Sequence, residues 1–381
     1  MNLLFFTPDF KPMSGGVAEH THQYANYFAG RDHSVTVVAP RVEGSREFDA
    51  GQPYEVVRVR QRPKPFGYLF FLAVLVGVLR RERVDWVYCP VWYPLALFAS
   101  AVSPFTSARL AIGAHGWEVI HEGRTLSERL QGKGPTLQRP VFRAADVVVA
   151  VSEWTREAVL RTVPDGVDVR VVNNGVDVAE FEDARPLETV GGVDVRDRNV
   201  LLTVSRLAPR KGHDVLIEAL PSITEEHPDT VYLVAGDGGR RSELESLARR
   251  VGVEDHVVFL GYVPDEDLPD LYATADQFVM PNRREGNSVE GFGIVFLEAN
   301  ATGTPVVGGD SGGAPDAVAD GVTGRLVDPY DADAVAEAVT ELLSDRETLA
   351  RMGRSGYERV RSEFDWERAG RELEEVLFSV R

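Results

Sequence analysis

Short runs of apolar residues, four to six long and rich in Val, Leu and Ile, recur along the whole chain. Segments with helical spacing of apolar positions separate them. In the first half the runs predict strands at 3–6, 35–38, 56–59, 86–88, 110–112 and 147–151, with a short one at 169–172. In the second half they predict strands at 200–204, 231–235, 257–260, 278–280, 305–307 and 324–327. Runs that are apolar throughout suit strands buried on both faces, and their alternation with helices argues for parallel sheets built from βαβ units. The chain therefore reads as α/β. Residues 177–198 break the rhythm, being rich in Asp, Glu and Arg with no apolar period and a Gly191-Gly192 pair. This predicts a first domain over 1–178, a connection over 179–198 and a second domain over 199–361. The tail 362–381 has helical spacing through Phe364, Trp366, Leu373, Val376 and Leu377, as expected of a helix crossing back to the first domain.

A length of 381 residues agrees with two domains rather than one core. The 59 acidic residues outnumber the 41 basic ones, for a formal net charge of −18. Such a chain repels nucleic acid, and its acidic, lysine-poor surface suits a high-salt habitat. Cys89 is the single cysteine, which excludes an internal disulfide and a cysteine-based metal site. The start, Met1-Asn-Leu-Leu-Phe-Phe, reads as a first strand rather than a secretory signal, so a cytoplasmic location is expected. The longest apolar run, 66–79, has 14 residues where a bilayer needs about 20. Arg80, Arg81 and Arg83 follow it. Two readings of Phe66–Arg83 stay open: a helix packed in the first domain, or a helix making peripheral contact with an anionic membrane face.

The chemistry gathers in the second half. Glu290 and Glu298 stand eight positions apart in Glu290-Gly-Phe-Gly-Ile-Val-Phe-Leu-Glu298. Read as a loop running straight into a helix, the pair spans about 12 Å, the reach from the sugar to the ribose of a nucleotide-diphosphate sugar. Upstream, a predicted strand ending at Val204 leads into Ser205-Arg206-Leu-Ala-Pro-Arg-Lys211-Gly. Only four of the basic residues are lysines (Lys11, Lys64, Lys133, Lys211). One of them after a parallel strand and before a helix marks an anion site, with Arg206 forking onto phosphate oxygens. Gly15 and Gly16 precede a helix and would let a ligand approach the backbone. His115, just past a strand end, could hold a sugar hydroxyl or polarise a leaving group. Two Asp-x-Asp pairs, Asp265/Asp267 and Asp331/Asp333, read as helix caps rather than metal ligands, so no metal is expected.

Together these residues resemble those of the retaining glycosyltransferases of family 4, which have the GT-B fold. The resemblance covers essentially the full length. It rests on Gly15-Gly16, Asn173-Asn-Gly-Val-Asp177, Ser205-Arg206-Leu, Lys211-Gly212, Ala235-Gly-Asp-Gly238, Phe259-Leu-Gly261 and the Glu290–Glu298 motif. It implies two Rossmann-like doubly wound domains with a cleft between them. It also implies Arg206 and Lys211 on the donor diphosphate, Glu298 on the ribose and Glu290 on the donor sugar. The N–H groups of Phe292, Gly293 and Ile294 would lie nearby and the Val263 backbone at the base, while Gly16 and His115 would face the transferred sugar. The run from Asn282 through Gly309-Asp-Ser-Gly-Gly-Ala-Pro-Asp316 is most similar to enzymes using GDP-mannose, including those acting on phosphatidylinositol mannosides. UDP-sugar users share much of it. The implied partners are a nucleotide-sugar donor, which is a substrate, and a glycan, lipid or small-molecule acceptor; no cofactor is implied. An epimerase or hydrolase of the same fold would need carboxylates near His115, and none is expected there.

Overall fold

The apolar runs form strands, the central ones buried from both sides. The computed structural model describes residues 1–60, 66–116, 118–120, 135–164 and 166–380. Its first sheet contains β1 (Asn2–Phe6), β2 (Ser34–Arg41), β3 (Glu55–Arg60), β4 (Trp86–Cys89), β5 (Arg109–Ala114), β6 (Val147–Ala150) and β7 (Val169–Val171). All pair in parallel, in the order β3-β2-β1-β4-β5-β6-β7. Alternate residues of β1 serve opposite faces: Leu4 and Phe6 join one apolar cluster, Leu3 and Phe5 the other.

The second sheet contains β10 (Asn199–Val204), β11 (Thr230–Ala235), β12 (Val257–Gly261), β13 (Gln277–Met280), β14 (Val306–Gly309) and β15 (Gly324–Val327). It too is parallel throughout, ordered β12-β11-β10-β13-β14-β15. Both sheets are thus doubly wound. Strand order reverses between β1 and β4 in one and between β10 and β13 in the other, and ligands of open α/β sheets bind past the strand ends at such points.

The chain divides into two compact units, Met1–Asn174 with Trp366–Arg381, and Gly175–Asp365. The division differs from the expected one in two places. Residues 179–198 are not a free connection but part of the second unit. They include the 3-10 turn Val178–Phe181 and the two-stranded hairpin of β8 (Thr189–Val190) and β9 (Val193–Asp194). Phe181 is buried with its ring 6.1 Å from that of Tyr272. The Arg185 and Leu187 N–H groups donate to Asp270 and Thr274. Isolated apolar anchors (Phe181, Val190, Val195) hold the segment, a pattern with no period to read. At the other end, the helix Arg346–Glu363 stays with the second unit, and the crossing falls at residue 366 rather than 362. There the helix Trp366–Ser379 packs along the helix Gly16–Ala29, so closely that a Cβ on Gly370 would fall 2.2 Å from the Tyr27 ring.

Candidate functional site

In the second unit, the loops after β10 and β13 meet at the reversal point. The first makes a 3-10 turn, Pro209–Lys211, and ends at Gly212, whose φ of +75° is in the left-handed region. A Cβ on Gly212 would stand 2.1 Å from the Pro281 carbonyl oxygen, so only glycine lets the two loops close. A backbone hydrogen bond from the Arg283 N–H to the Arg210 carbonyl, 2.9 Å, fixes the contact. Lys211 and Glu290 are thereby brought together from 79 positions apart, with Lys211 Nζ 2.5 Å from Glu290 Oε2. Arg210, a residue not singled out in the sequence, donates through Nη1 to the same Oε2.

All three side chains are largely withdrawn from water, Lys211 being 7% exposed. Burial pushes the Glu290 carboxyl up, but the Lys211 and Arg210 cations beside it outweigh burial and hold it down at about 2. Burial likewise lowers the Lys211 ammonium, with Glu290 pulling the other way. Two cations on one carboxylate leave a net positive charge at the strand ends. Arg206 lies exposed in the same loop, its side chain making no hydrogen bond or ion pair to the described residues, and its charge also acts on Lys211. The arrangement suits an anion.

Behind this trio, Arg283 forks onto Asp214 (Nη1–Oδ1 3.0 Å, Nη2–Oδ2 2.8 Å), and Arg240 reaches Asp214 at 3.3 Å. Asp214 lies in the first turn of the helix His213–Glu226. His213 is buried between Ser205 Oγ at 3.0 Å and the Tyr232 hydroxyl at 2.8 Å, tying the Arg206 loop to that helix. Of the site's residues, Glu290, Arg206 and Lys211 were legible beforehand. Arg210, Asp214, Arg240 and Arg283 carry no motif, and the one available hint was the density of arginine around Lys211 and Glu290.

The acidic pair is arranged differently from expectation. The helix runs Ile294–Ala301 and is capped by Gly293 at φ +94°. Glu290 therefore precedes it in an irregular turn, and the helical rise does not measure its distance to Glu298. A polar loop packed on Lys211 and Arg210 has replaced the first turn. Glu298 is half-buried and accepts a hydrogen bond from the Tyr272 hydroxyl at 2.6 Å. Phe292 is buried, its ring 5.9 Å from that of Phe364. Val263 lies beyond the end of β12, the edge strand. Of the Asp-x-Asp pairs, Asp331 does cap a helix, accepting from the Asp333 and Ala334 N–H groups at 2.9 and 3.2 Å. Asp265–Asp267 instead forms a 3-10 turn, and Asp267 makes no side-chain cap to the helix that follows.

In the first unit, Gly15 has φ +137°, and among the described residues beyond its own neighbours a Cβ on Gly15 or Gly16 would meet no atom within 4 Å. His115 follows β5, with its Nε2 buried without a partner among the described residues. Burial, outweighing the pull of the Pro90 carbonyl, lowers the ring to about 4, so it is neutral at pH 7. The His20 ring lies edge-on to it at 4.7 Å, bonded through Nδ1 to Asn174 (2.8 Å) and through Nε2 to the Tyr88 hydroxyl (2.9 Å). A carboxylate does stand near His115, contrary to expectation. Glu118 is buried and accepts from the His115 N–H, leaving Oε2 without a partner among the described residues. Its polar contacts among the described residues are to backbone N–H groups of its own loop.

Known proteins resemble this chain in sequence and in fold. The pattern of the family described as Glycosyltransferase Family 4 matches residues 14–180, and that of Glycosyl transferases group 1 matches 193–359. The GDP-mannose-dependent alpha-(1-6)-phosphatidylinositol monomannoside mannosyltransferase of Mycolicibacterium smegmatis is 35% identical, over 98% of both chains. The monoacylated-substrate counterpart of Corynebacterium glutamicum is 33% identical, over 99% of this chain and 97% of its own. The crystal structure of Anabaena HepE with UDP-glucose has the same fold, with a TM-score of 0.79 at 23% identity and full coverage of both chains. With family patterns matching in both units and relatives above 30% identity along nearly its whole length, the protein is a family 4 glycosyltransferase of the GT-B fold.

Proposed function

We propose that this glycosyltransferase transfers mannose from GDP-mannose, with retention at the anomeric carbon and without a metal ion, to a mannosylated phosphatidylinositol or similar lipid-borne hydroxyl. The observation that carries the reading is the pair of cations Arg210 and Lys211 on Glu290, with Arg206 in the same loop, at the reversal point of the second sheet. A departing nucleoside diphosphate needs positive charge held in place beforehand, and here it comes from side chains already oriented. In this reading Arg206 and Lys211 neutralise the diphosphate, Glu298 takes the ribose hydroxyls and Glu290 the sugar. Phe292, Gly293 and Ile294 offer backbone N–H groups, and the Val263 backbone meets the base. His115, neutral and with Nε2 unpartnered among the described residues, meets a sugar hydroxyl, and the bare backbone at Gly16 lets the sugar approach closely. The donor base and sugar follow the activities of the relatives at 33–35% identity.

Retention without an enzyme nucleophile implies that the acceptor attacks from the face the diphosphate leaves, with a diphosphate oxygen taking the acceptor proton. The lipid acceptor draws support from the helix Phe66–Arg81. Phe71, Leu75 and Val78 are buried, while Leu69 (56%) and Phe70 (46%) are exposed above Arg80 and Arg81. The helix is half-buried, one face packed in the first unit and the other exposed. Among the described residues no helix is long and apolar enough to cross a membrane, and we place the enzyme at the cytoplasmic membrane face.

The test is titration calorimetry of the purified chain with GDP-mannose, UDP-glucose and UDP-N-acetylglucosamine, followed by transfer assays with and without EDTA. The expected result is heat with GDP-mannose, EDTA-resistant turnover, and a loss of at least two orders of magnitude in rate for Lys211→Ala, as for removal of an oxyanion contact. Preference for a UDP-sugar would overturn the donor assignment, EDTA sensitivity the metal independence, and near-normal turnover of Lys211→Ala the leaving-group role.

A further inference from the structure

We propose that Arg210 is a positioning residue for the donor sugar: it keeps Glu290 charged and oriented while Lys211 turns to the diphosphate. The inference deepens the donor-site reading above and rests on it.

Arg210 Nη1 and Lys211 Nζ donate to one and the same oxygen, Glu290 Oε2. One cation is enough to neutralise one carboxylate. If Lys211 alone held Glu290, a diphosphate could recruit the ammonium only by leaving a withdrawn carboxylate unpaired, and such an unpaired charge is costly. A second cation removes that conflict. Lys211 is a compact ammonium on a flexible stem, suited to moving between partners, whereas the guanidinium of Arg210 is a rigid planar fork suited to staying.

The surroundings assign the stationary role to Arg210. Its carbonyl accepts the Arg283 N–H at 2.9 Å, locking the turn to the loop that carries Glu290. Arg283 is itself engaged on both oxygens of Asp214, so it does not compete for Glu290. The Glu290 carbonyl accepts the Gly313 N–H at 2.9 Å, holding the other end of that loop to the segment after β14. Glu290 thus has a fixed backbone and one fixed cation, and Lys211 is the exchangeable partner.

The experiment compares Arg210→Ala and Arg210→Lys with the parent chain, alone and combined with Glu290→Gln. Turnover is measured with the preferred sugar nucleotide, and the binding of free GDP and UDP by calorimetry. Arg210→Ala is expected to lower kcat roughly 10- to 100-fold, the cost of misplacing a group at the reacting centre. It should leave nucleoside diphosphate affinity within about twofold, because Arg210 acts through Glu290 and not on phosphate. Arg210→Lys should recover part of the loss. In the Glu290→Gln background, Arg210→Ala should add no further loss, since residues acting through one group are non-additive. Tenfold weaker GDP or UDP binding by Arg210→Ala would make Arg210 a phosphate ligand and overturn the proposal. So would unchanged kcat, or additive losses in the double variant. If Arg210→Ala does not fold, Arg210→Lys with and without Glu290→Gln answers the same question. A parent chain that binds no nucleoside diphosphate would refute the donor-site reading itself, an outcome distinct from these.

Discussion

Glu118 lies in the first unit with one oxygen on the His115 N–H and the other out of water. Burial pushes its carboxyl up to about 7, against the backbone N–H groups of its loop. A carboxyl raised in the folded state stabilises fully below its unfolded value near 4.5, and that contribution is lost as pH rises through 7. The shift corresponds to roughly 3 kcal/mol at most. His115 and His213 act in the opposite sense. Burial lowers both to about 4, so stability drains away as pH falls from 6.5 through 4. Subtracting a variant isolates Glu118: the Tm of Glu118→Gln minus that of the parent should climb between pH 4.5 and 7 and level off above. A flat difference would place the Glu118 proton elsewhere. His115 and Glu118 also show how far residues can be read alone. The histidine was legible as a strand-end residue, whereas the carboxylate three positions on gave no sign, because what marks it is burial and a turn that folds it back onto a backbone N–H.

At the level of single elements, helix Phe66–Arg81 makes the clearest separable claim. One face packs into the first unit through Phe71, Leu75 and Val78. Leu75 and Leu79 line a small cavity together with Ser103 and Thr106, which sets the turn Ser103–Phe105 beside the helix. Phe105 is 87% exposed there. Exposed Leu69, Phe70 and Phe105 with Arg80, Arg81 and Arg83 combine apolar area and positive charge, the two attractions that hold a helix on an anionic bilayer. Replacing the three arginines by serine should weaken co-sedimentation with vesicles containing phosphatidylinositol by at least tenfold, at about 1 kcal/mol per arginine, and Phe70→Glu should weaken it further. Binding that is indifferent to both changes would leave the outer face without a membrane role. The strands were readable because burial on both faces demands uninterrupted apolar runs. The hairpin of β8 and β9 was not, since two-residue strands carry no period.

The whole molecule carries −18 formal charge, against which the folded state must hold together. Screening shortens from about 10 Å at 0.1 M salt to about 3 Å at 1 M. Relief of acidic self-repulsion therefore predicts a Tm that rises with KCl across that range. A falling Tm would show that surface ion pairs such as Arg196–Asp194 and Arg346–Asp276 outweigh the repulsion. The two crossings of the chain between units are each secured within their own unit. His20 bonds to Asn174 and lies edge-on to Trp366 at 6.3 Å in the first, while the Val176 N–H donates to the Phe364 carbonyl at 2.8 Å in the second. Neither anchor is a sequence motif.

Periodicity by itself determined the α/β class, the thirteen strands of the two large sheets and the division into two halves, because hydrophobic burial acts on every residue of a strand and so writes itself along the chain. The glutamate pair, Arg206, Lys211 and the glycines were legible as types at strand ends. Tertiary structure alone decided that Lys211 and Arg210 share one oxygen of Glu290, that Glu290 stands outside the helix of Glu298, and that Glu118 is buried against the His115 loop. The first outcome depends on which loops approach one another across a reversed strand order, a contact between segments some 80 positions apart that no local pattern encodes, and the other two on burial and turn geometry that periodicity does not carry.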